Sequence, residues 1–561
     1  YMKLYINLLF GLFLACWNTN AQECAPSLAT ADFFPNNIKT RLAIGGTIWK
    51  NFYNIPADQP PLEDQASILF AGSIWLGGID TEQNLHLAAG TYGYYGLPDL
   101  DFYPGPIDEN GSAHETTCAN FDRHFSVTRN QINNFKADYS ADGYVDGSHA
   151  FIYRWPARGN PHFSSYYGFE LPDQPLAPFV DHNGDGKYDP NFGDHPRIKG
   201  SQAVWWIYND VGNIHAETEG EPVGAEIQMM AYAFDSEEEN IRNSTFYDVR
   251  IEGKGGSALH DFYTALFVDG SLGCYTDDYV GCMPEENLVF TYNADAVDGT
   301  VGCQCDGGYP SYCEAVPLMG IKLLKGFKNN QSFELSGFSY YNNGGVGMPP
   351  LGTSDPNFAT EYYNYMTGHW RDGTPLTEEG SGYNPNGGTP TAFAFLGNPA
   401  DTAARTMCKA ELPIHADRRM ILRFGPFDFE SGDVIDLSFA VLFVSEVPHP
   451  CPDVTPLIEA GQDAQAQFDE VSTNTRDFLP KVGLEIFPNP FNSICIIQLK
   501  DNTQLINQLQ LFDDTGTEIK VIQNIKAPQL EIKRDNLNAG IYFYRLQTTE
   551  RYWAAGKIIV Q

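Results

Sequence analysis

Short apolar runs alternate with turn residues along most of the chain, a pattern that predicts strands. Residues 42–53 (LAIGGTIWKNFY), 67–80 (SILFAGSIWLGGID), 85–96 (LHLAAGTYGYYG) and 101–106 (DFYPGP) open the series. Residues 202–210 (QAVWWIYND), 226–234 (EIQMMAYAF), 244–253 (STFYDVRIEG) and 261–270 (DFYTALFVDG) continue it. Residues 418–429 (RRMILRFGPFDF) and 434–444 (VIDLSFAVLFV) close it around the turn ESGD. Each run has strand length and is rich in β-branched and aromatic residues. The best helix lies at 454–471, where Leu457, Ile458, Ala464 and Phe468 recur at helical spacing. Residues 108–150 are more polar, and Asp138, Asp142 and Asp146 read there as loop and turn residues.

The last 80 or so residues carry a separate pattern. The runs LEIFPNPF, ICIIQL, INQLQLFDDTG, LEIKRDNL, GIYFYRL and GKIIV give about seven short strands, enough for a small antiparallel sandwich. Leu509 and Leu511 alternate with Gln508 and Gln510, as in a half-buried strand. The predicted fold is therefore mostly β: a β-sandwich-like body at 22–445, in one unit or two subdomains, with long loops. A helix and linker follow at 446–483, with a boundary near 481, and then a seven-stranded antiparallel β-sandwich at 484–561.

A chain of 561 residues exceeds one core and fits roughly two to four domains. Its formal net charge of -37 repels phosphate backbones and anionic membranes and draws divalent cations, so nucleic acid is excluded as a partner. Met2 and Lys3 precede an apolar run at 4–17, and Thr19-Asn20-Ala21 then supplies a small-residue cleavage pattern. Residues 1–21 thus read as a signal peptide. The run is shorter than the ~20 residues of a spanning helix, and no later segment qualifies, so no transmembrane segment is expected in the mature chain. Lipoprotein processing at Cys16 fits less well, because Phe13 stands where Leu is expected.

After that cleavage ten cysteines remain: Cys24, Cys118, Cys274, Cys282, Cys303, Cys305, Cys313, Cys408, Cys451 and Cys495. Five crowd the loop region 274–313. In an oxidising compartment disulfides are the commoner explanation than a metal site at Cys303, Cys305 and Cys313. Cys495, in an apolar strand-like run, is expected to be a buried thiol.

The sharpest chemical signal is the acidic loop at 181–194, DHNGDGKYDPNFGD. Asp181, Asn183, Asp185, Lys187 and Asp189 fall at positions 1, 3, 5, 7 and 9 of a calcium loop, Lys187 contributing its carbonyl. Gly186 takes position 6, where the chain turns sharply. Position 12 holds Phe192 where a bidentate Glu is expected, and Asp194 is the candidate replacement. No helices flank the loop, so it is not an EF-hand. The competing reading is a plain polar turn, since Asp, Asn and Gly favour turns on their own. The expected cofactor is structural Ca²⁺ clamping a long loop, with His182 and His195 as surface residues beside it.

Asp269, Asp277 and Asp278, with Asp295 and Asp298, offer a second cluster whose spacing matches no standard loop. They read equally as solvated turns or as a cation site, and less favourably as paired carboxylates for glycoside hydrolysis. Residues 316–405, rich in Gly, Asn, Tyr and Pro, predict long surface loops. Tyr362, Tyr363, Tyr365, Trp370 and Tyr383 there serve either as a stacking platform for sugar rings or, preferably, as packing against the sheet. Neither GxSxG nor HExxH occurs, and GGVG and GKGG lack the strand-then-helix context of a phosphate cradle. No catalytic or organic-cofactor residues are assigned.

The C-terminal segment resembles the type A C-terminal sorting domain of the Bacteroidota type IX secretion system. The likeness rests on Pro488-Asn489-Pro490-Phe491, Asp514-x-Gly516, Leu537-x-x-Gly540-x-Tyr542 and Gly556-Lys557. It implies export across the inner membrane by the signal peptide and across the outer membrane by residues 484–561, with the cargo released or attached to surface lipopolysaccharide. The body is similar to an uncharacterised family of secreted proteins carrying that tail, through 74–80, 101–106, 177–206, 277–282, 292–298 and 417–433. VDGSLG at 268–273 departs from that family, whose members more often carry a further Asp there. The resemblance implies a secreted or cell-surface-attached protein, outer-membrane or extracellular, with the type IX machinery as partner. Its leading function is non-enzymatic: adhesive, matrix or ligand-binding toward lipopolysaccharide or an extracellular glycan. The alternative is a secreted polysaccharide-degrading hydrolase using the paired carboxylates.

Overall fold

The computed structural model describes residues 24–54, 66–92, 101–143, 148–410, 412–474, 484–500, 505–513, 518–534, 537–549 and 553–561. The signal peptide, Asp146, Asp514 with Gly516, and the boundary near 481 lie outside them.

Two antiparallel sheets build the body. The first runs Thr30–Phe33, Ile38–Ala43, Thr47–Asn54, Ser67–Asp80, Leu259–Gly270, Arg418–Phe429, Gly337–Asn342, with Leu85–Ala88 also pairing Ser67–Asp80. The second runs Asp278–Met283, Leu288–Asn293, Leu318–Lys328, Val434–Val444, Ser244–Gly253, Ala225–Ala233, Gln202–Asn209, Tyr103–Pro104. Nearly every apolar run in the sequence is one of these strands, several with matching ends. Ile38–Ala43 and Thr47–Asn54 form a hairpin whose turn needs positive φ at Gly45 and Gly46, at +94° and +104°.

The sheets pack face to face. Trp49 of the first meets Tyr247 of the second edge-on, with centroids 5.3 Å apart. A small cavity between the sheets is lined by Ile74, Leu266 and Leu422 from one side and Ile321, Leu437 and Phe439 from the other. Gly72 is required opposite Trp49, because a Cβ there would overlap the indole ring. One buried apolar cluster runs across both sheets.

Helices and loops cover the outer faces; Ala225–Ala233 is buried along its whole length, with Gln228 donating to Pro175 O at 3.0 Å in a covering loop. Thr455–Asn474, the helix expected from the sequence, lays Leu457, Ala460, Ala464 and Phe468 against the second sheet, where Leu457 fills the space over Gly320. Ala359–Met366 covers the first sheet: Tyr362 meets Trp75 at 4.9 Å and Tyr365 meets Tyr341 at 5.0 Å.

Two local expectations are corrected, and the preferred packing role of the aromatics is upheld. Residues 316–405 are not simply surface loops, since Leu318–Lys328 and Gly337–Asn342 are buried strands, the second at the end of the first sheet. The aromatics there pack rather than present a platform: Tyr362, Tyr365 and Trp370 are buried and Tyr363 and Tyr383 half-buried. Asp138 lies in a helix, Arg129–Asp142, not in a loop, and its carboxylate meets His149 Nε2 at 3.0 Å. Thr128 and Gln131 start that helix with a reciprocal capping box, and Gly143 ends it in the left-handed conformation.

Seven strands form the C-terminal unit. Leu484–Phe487, Ile494–Leu499 and Gln529–Lys533 make one sheet, and Glu518–Ala527, Ile506–Phe512, Gly540–Thr548 and Trp553–Val560 the other. They close over their own core, including Cys495, Leu509, Leu511 and Ile558. Gln508 and Gln510 alternate with the two buried leucines, half-exposed.

Candidate functional site

Four disulfides hold the loops of the body: Cys24–Cys118, Cys274–Cys305, Cys303–Cys313 and Cys408–Cys451. Four of the five crowded cysteines at 274–313 are therefore in cross-links, and Cys303, Cys305 and Cys313 are not a thiolate metal site. Cys282 and Cys495 are free and buried.

The 181–194 loop folds back on its own backbone. Asp181 accepts from Gly184 N–H at 2.7 Å through one oxygen and from Gly186 N–H at 2.8 Å through the other. Asn183 accepts from Asp185 N–H at 3.1 Å, and Asp185 accepts from Lys187 N–H at 2.8 Å. Gly184 and Gly186 take φ of +76° and +79°, which lets the chain turn this tightly. Asp189 caps the single helical turn Pro190–Phe192 by accepting from Asn191 N–H at 2.9 Å. Tyr188 anchors the loop to the core, its hydroxyl donating to Ile152 O at 2.7 Å.

Asp194 sits fully buried beneath the turn. It accepts from His182 N–H at 2.7 Å and from Asp189 N–H at 2.9 Å, joining the two ends of the loop. Burial pushes its carboxyl up to about 7, and the nearby charges of Asp181 and Asp185 push the same way. Phe192, at the position of the usual bidentate Glu, is 52% exposed. The loop's carboxylates do not form a group of three with ligand atoms within 4.8 Å of one another, as Asp277 and Asp298 do with Cys274. His182 is exposed as expected, whereas His195 is half-buried against Phe135.

The second acidic cluster divides into two surroundings. Asp269 accepts from Tyr92 OH and lies beside Arg419, which pairs with Asp417 at 2.8 Å. Asp278 begins a strand on the other sheet, opposite Asn293, and Asp277 precedes it in an isolated bridge to Ala416. Asp298 returns in a loop, accepting from Cys274 N–H at 2.9 Å and from Tyr312 N–H. Asp269, Asp277 and Asp278 are only 4%, 3% and 1% exposed. They are not solvated turn residues, and a polysaccharide cannot reach them. Asp295 is half-exposed.

Sequence reasoning missed a further buried network. His215 donates from Nδ1 to Leu87 O at 2.7 Å and from Nε2 to Asp210 O at 2.6 Å. Burial opposes its charge, but Asp101 and Asp210 outweigh burial and raise its pKa. Its residues are scattered from 87 to 225, so no local spacing could reveal it.

Residues 485–561 match the family described as the secretion system C-terminal sorting domain. No curated protein matches the chain. Among solved structures, a polysaccharide lyase is 6% identical over 60% of this chain and 34% of its own, with a TM-score of 0.18. Dimeric latent PorU from Porphyromonas gingivalis is 13% identical over 65% of this chain and 32% of its own, with a TM-score of 0.12. The chain spans about a third of the length of these two proteins, and neither likeness carries fold or chemistry across. No helix among the described residues is long and apolar enough to cross a membrane. The seven strands at 484–560 are thus the fold of a secretion system C-terminal sorting domain, and the chain is a type IX secretion cargo, exported and then secreted or attached to the cell surface.

Proposed function

We propose that the protein is a non-enzymatic component of the cell surface or matrix, adhesive or ligand-binding, whose exported body is clamped by calcium. Lipopolysaccharide or an extracellular glycan is the class of partner. The observation that carries this reading is where the carboxylates go. Those open to a hydrolytic role are buried in structural bonding, whereas Asp181, Asn183, Asp185, the Lys187 carbonyl, Asp189 and Asp194 belong to one loop suited to a hard cation. Bound there, calcium would neutralise the carboxylates that crowd Asp194. It would also tie the exposed turn to the buried end of the loop.

Calcium should raise the melting temperature of the purified protein over that in chelator. A site with Kd on the order of 10⁻⁴ to 10⁻³ M contributes about 1.4 to 2.7 kcal/mol at roughly 10 mM calcium. The gain should shrink in an Asp181→Asn/Asp185→Asn variant, and an identical gain in that variant would refute the clamp. A glycan array scored for both binding and cleavage tests the non-enzymatic reading, and any cleaved glycan overturns it. Deletion of residues 484–561 should strand the protein in the periplasm; normal surface delivery of the truncated form would contradict the role of the tail.

A further inference from the structure

Among the described residues of the body, two groups of buried carboxylates share a cation. Asp269 and Asp417 have Arg419, and Asp101 and Asp210 have His215. A further group, Asp277, Asp278 and Asp298, makes no ion pair among the described residues. Arg418, the nearest guanidinium, donates instead to the backbone carbonyls of Asp278 and Pro413.

Two of its members are only half-satisfied, whereas both oxygens of Asp298 accept backbone N–H bonds, from Cys274 and Tyr312. Asp277 accepts from Gly299 N–H at 2.8 Å through Oδ2, and Asp278 accepts from Leu272 N–H at 2.9 Å through Oδ2. Their Oδ1 atoms are shut off from solvent and have no hydrogen-bond partner among the described residues. Asn293, directly across the strand pair from Asp278, donates its amide to Asp295 O at 3.0 Å and leaves its own Oδ1 equally buried and unpartnered. Carboxylate oxygens of Asp277 and Asp298 lie within 4.8 Å of each other and of Cys274 Sγ. Leaving such oxygens dry and unpaired is unfavourable.

We propose that Asp277, Asp278, Asn293 and Asp298 enclose a second, buried site for a divalent cation, and that the ion is calcium. The ligand atoms are all oxygens. The Cys274 sulfur is bound in a disulfide and is no thiolate, and histidine is absent from the cluster, so zinc and copper are disfavoured. An all-protein cage of carboxylate and amide oxygens suits calcium better than magnesium, which keeps several of its waters. The ion would join two strands of the second sheet to the 294–317 loop, beside the Cys274–Cys305 and Cys303–Cys313 cross-links. This site is independent of the exposed loop at 181–194.

The test is the calcium stoichiometry of the chelator-stripped protein, titrated with calcium chloride alone. The Asp181→Asn/Asp185→Asn variant, altered only in an exposed turn, should still bind one calcium per chain. Adding Asp277→Asn and Asp278→Asn should abolish that binding. A loop variant that binds no calcium overturns the proposal, and so does unchanged stoichiometry after the inner substitutions. If the inner variant does not fold, crystals of the loop variant grown with terbium decide the matter. An anomalous peak among Asp277, Asp278 and Asn293 upholds the site, and a peak elsewhere or none refutes it. A wild type that binds a single calcium, unaffected by the loop substitutions, would uphold the inner site and refute the clamp at 181–194.

Discussion

Acidification should destabilise the body through His124. This residue precedes the edge strand Phe125–Thr128 and lies 5.4 Å from Trp206, centroid to centroid. The residue as a whole is half-buried, but both ring nitrogens are shut off from solvent. Burial pushes the imidazole down to about 4 from its usual 6.5; the charge of Asp122 pulls the other way without offsetting it. The unfolded chain takes up a proton near 6.5, and the folded protein refuses it until about 4. The stability tied to neutral His124 is therefore complete above 6.5 and is lost progressively as pH falls from 6.5 to 4. A gap of about 2.5 pK units is about 3.4 kcal/mol at full development, of which about 2 kcal/mol has been lost by roughly pH 5.

Guanidinium unfolding at about pH 7.5 and about pH 5.0 measures this loss, followed by tryptophan emission because Trp206 lies beside the imidazole. Many other groups titrate over the same range. Burial pushes His195 down to about 4, in the same sense as His124, while Asp269 and Asp298 are pushed up and act oppositely. Comparison with His124→Gln removes what the two proteins share. The variant should lose about 2 kcal/mol less than the wild type between the two pH values. Equal losses would refute the assignment of a neutral, dry imidazole.

Gly72→Ala should destabilise the body by about 1 to 3 kcal/mol, since the new methyl would overlap the buried Trp49 ring between the sheets. Thermal unfolding measures it, and an unchanged melting temperature would contradict the packing. Removing Cys24–Cys118, with a sequence separation of 94, should cost more than removing Cys303–Cys313, with a separation of 10. Chain-entropy estimates are about 4.7 and about 2.7 kcal/mol, and a reversed order in denaturant titrations of the Cys→Ala pairs would refute that account.

The strands were legible because their information is local. Ser67–Asp80, Ser244–Gly253, Arg418–Phe429 and Val434–Val444 begin and end where the apolar runs do, and Thr455–Asn474 shows its buried stripe at Leu457, Ala464 and Phe468. The tail was legible through short motifs in fixed order. Gly337–Asn342 and Leu318–Lys328 were harder. The glycines and asparagines beside FSYYN resemble loop composition, and only pairing with Arg418–Phe429 and Val434–Val444 makes these segments buried strands. The helix Arg129–Asp142 was missed because Ile132 and Phe135 alone mark its buried side in a polar segment.

The two cation clusters differ in the same way, and the difference bears on how each would respond to export. The 181–194 loop supplies its oxygens from one short stretch, so its spacing can be read without a fold and its donors lie together before the sheets form. The inner cluster exists only after Asp278 has paired with Asn293 and the 294–317 loop has brought Asp298 back to Cys274. Calcium at the exposed loop would therefore act on a local turn. Calcium at the inner cluster would bind the folded sheet and scarcely the unfolded chain, so its whole binding free energy would add to the stability of the body. The order of loss on chelation follows. The exposed clamp should release its ion rapidly at native conditions, and the inner ion should leave only as fast as the second sheet opens. Biphasic calcium release into excess chelator, with a slow phase that tracks the unfolding rate in added denaturant, is the expected result. A single fast phase accounting for all the bound calcium would show that no ion is held behind the sheet.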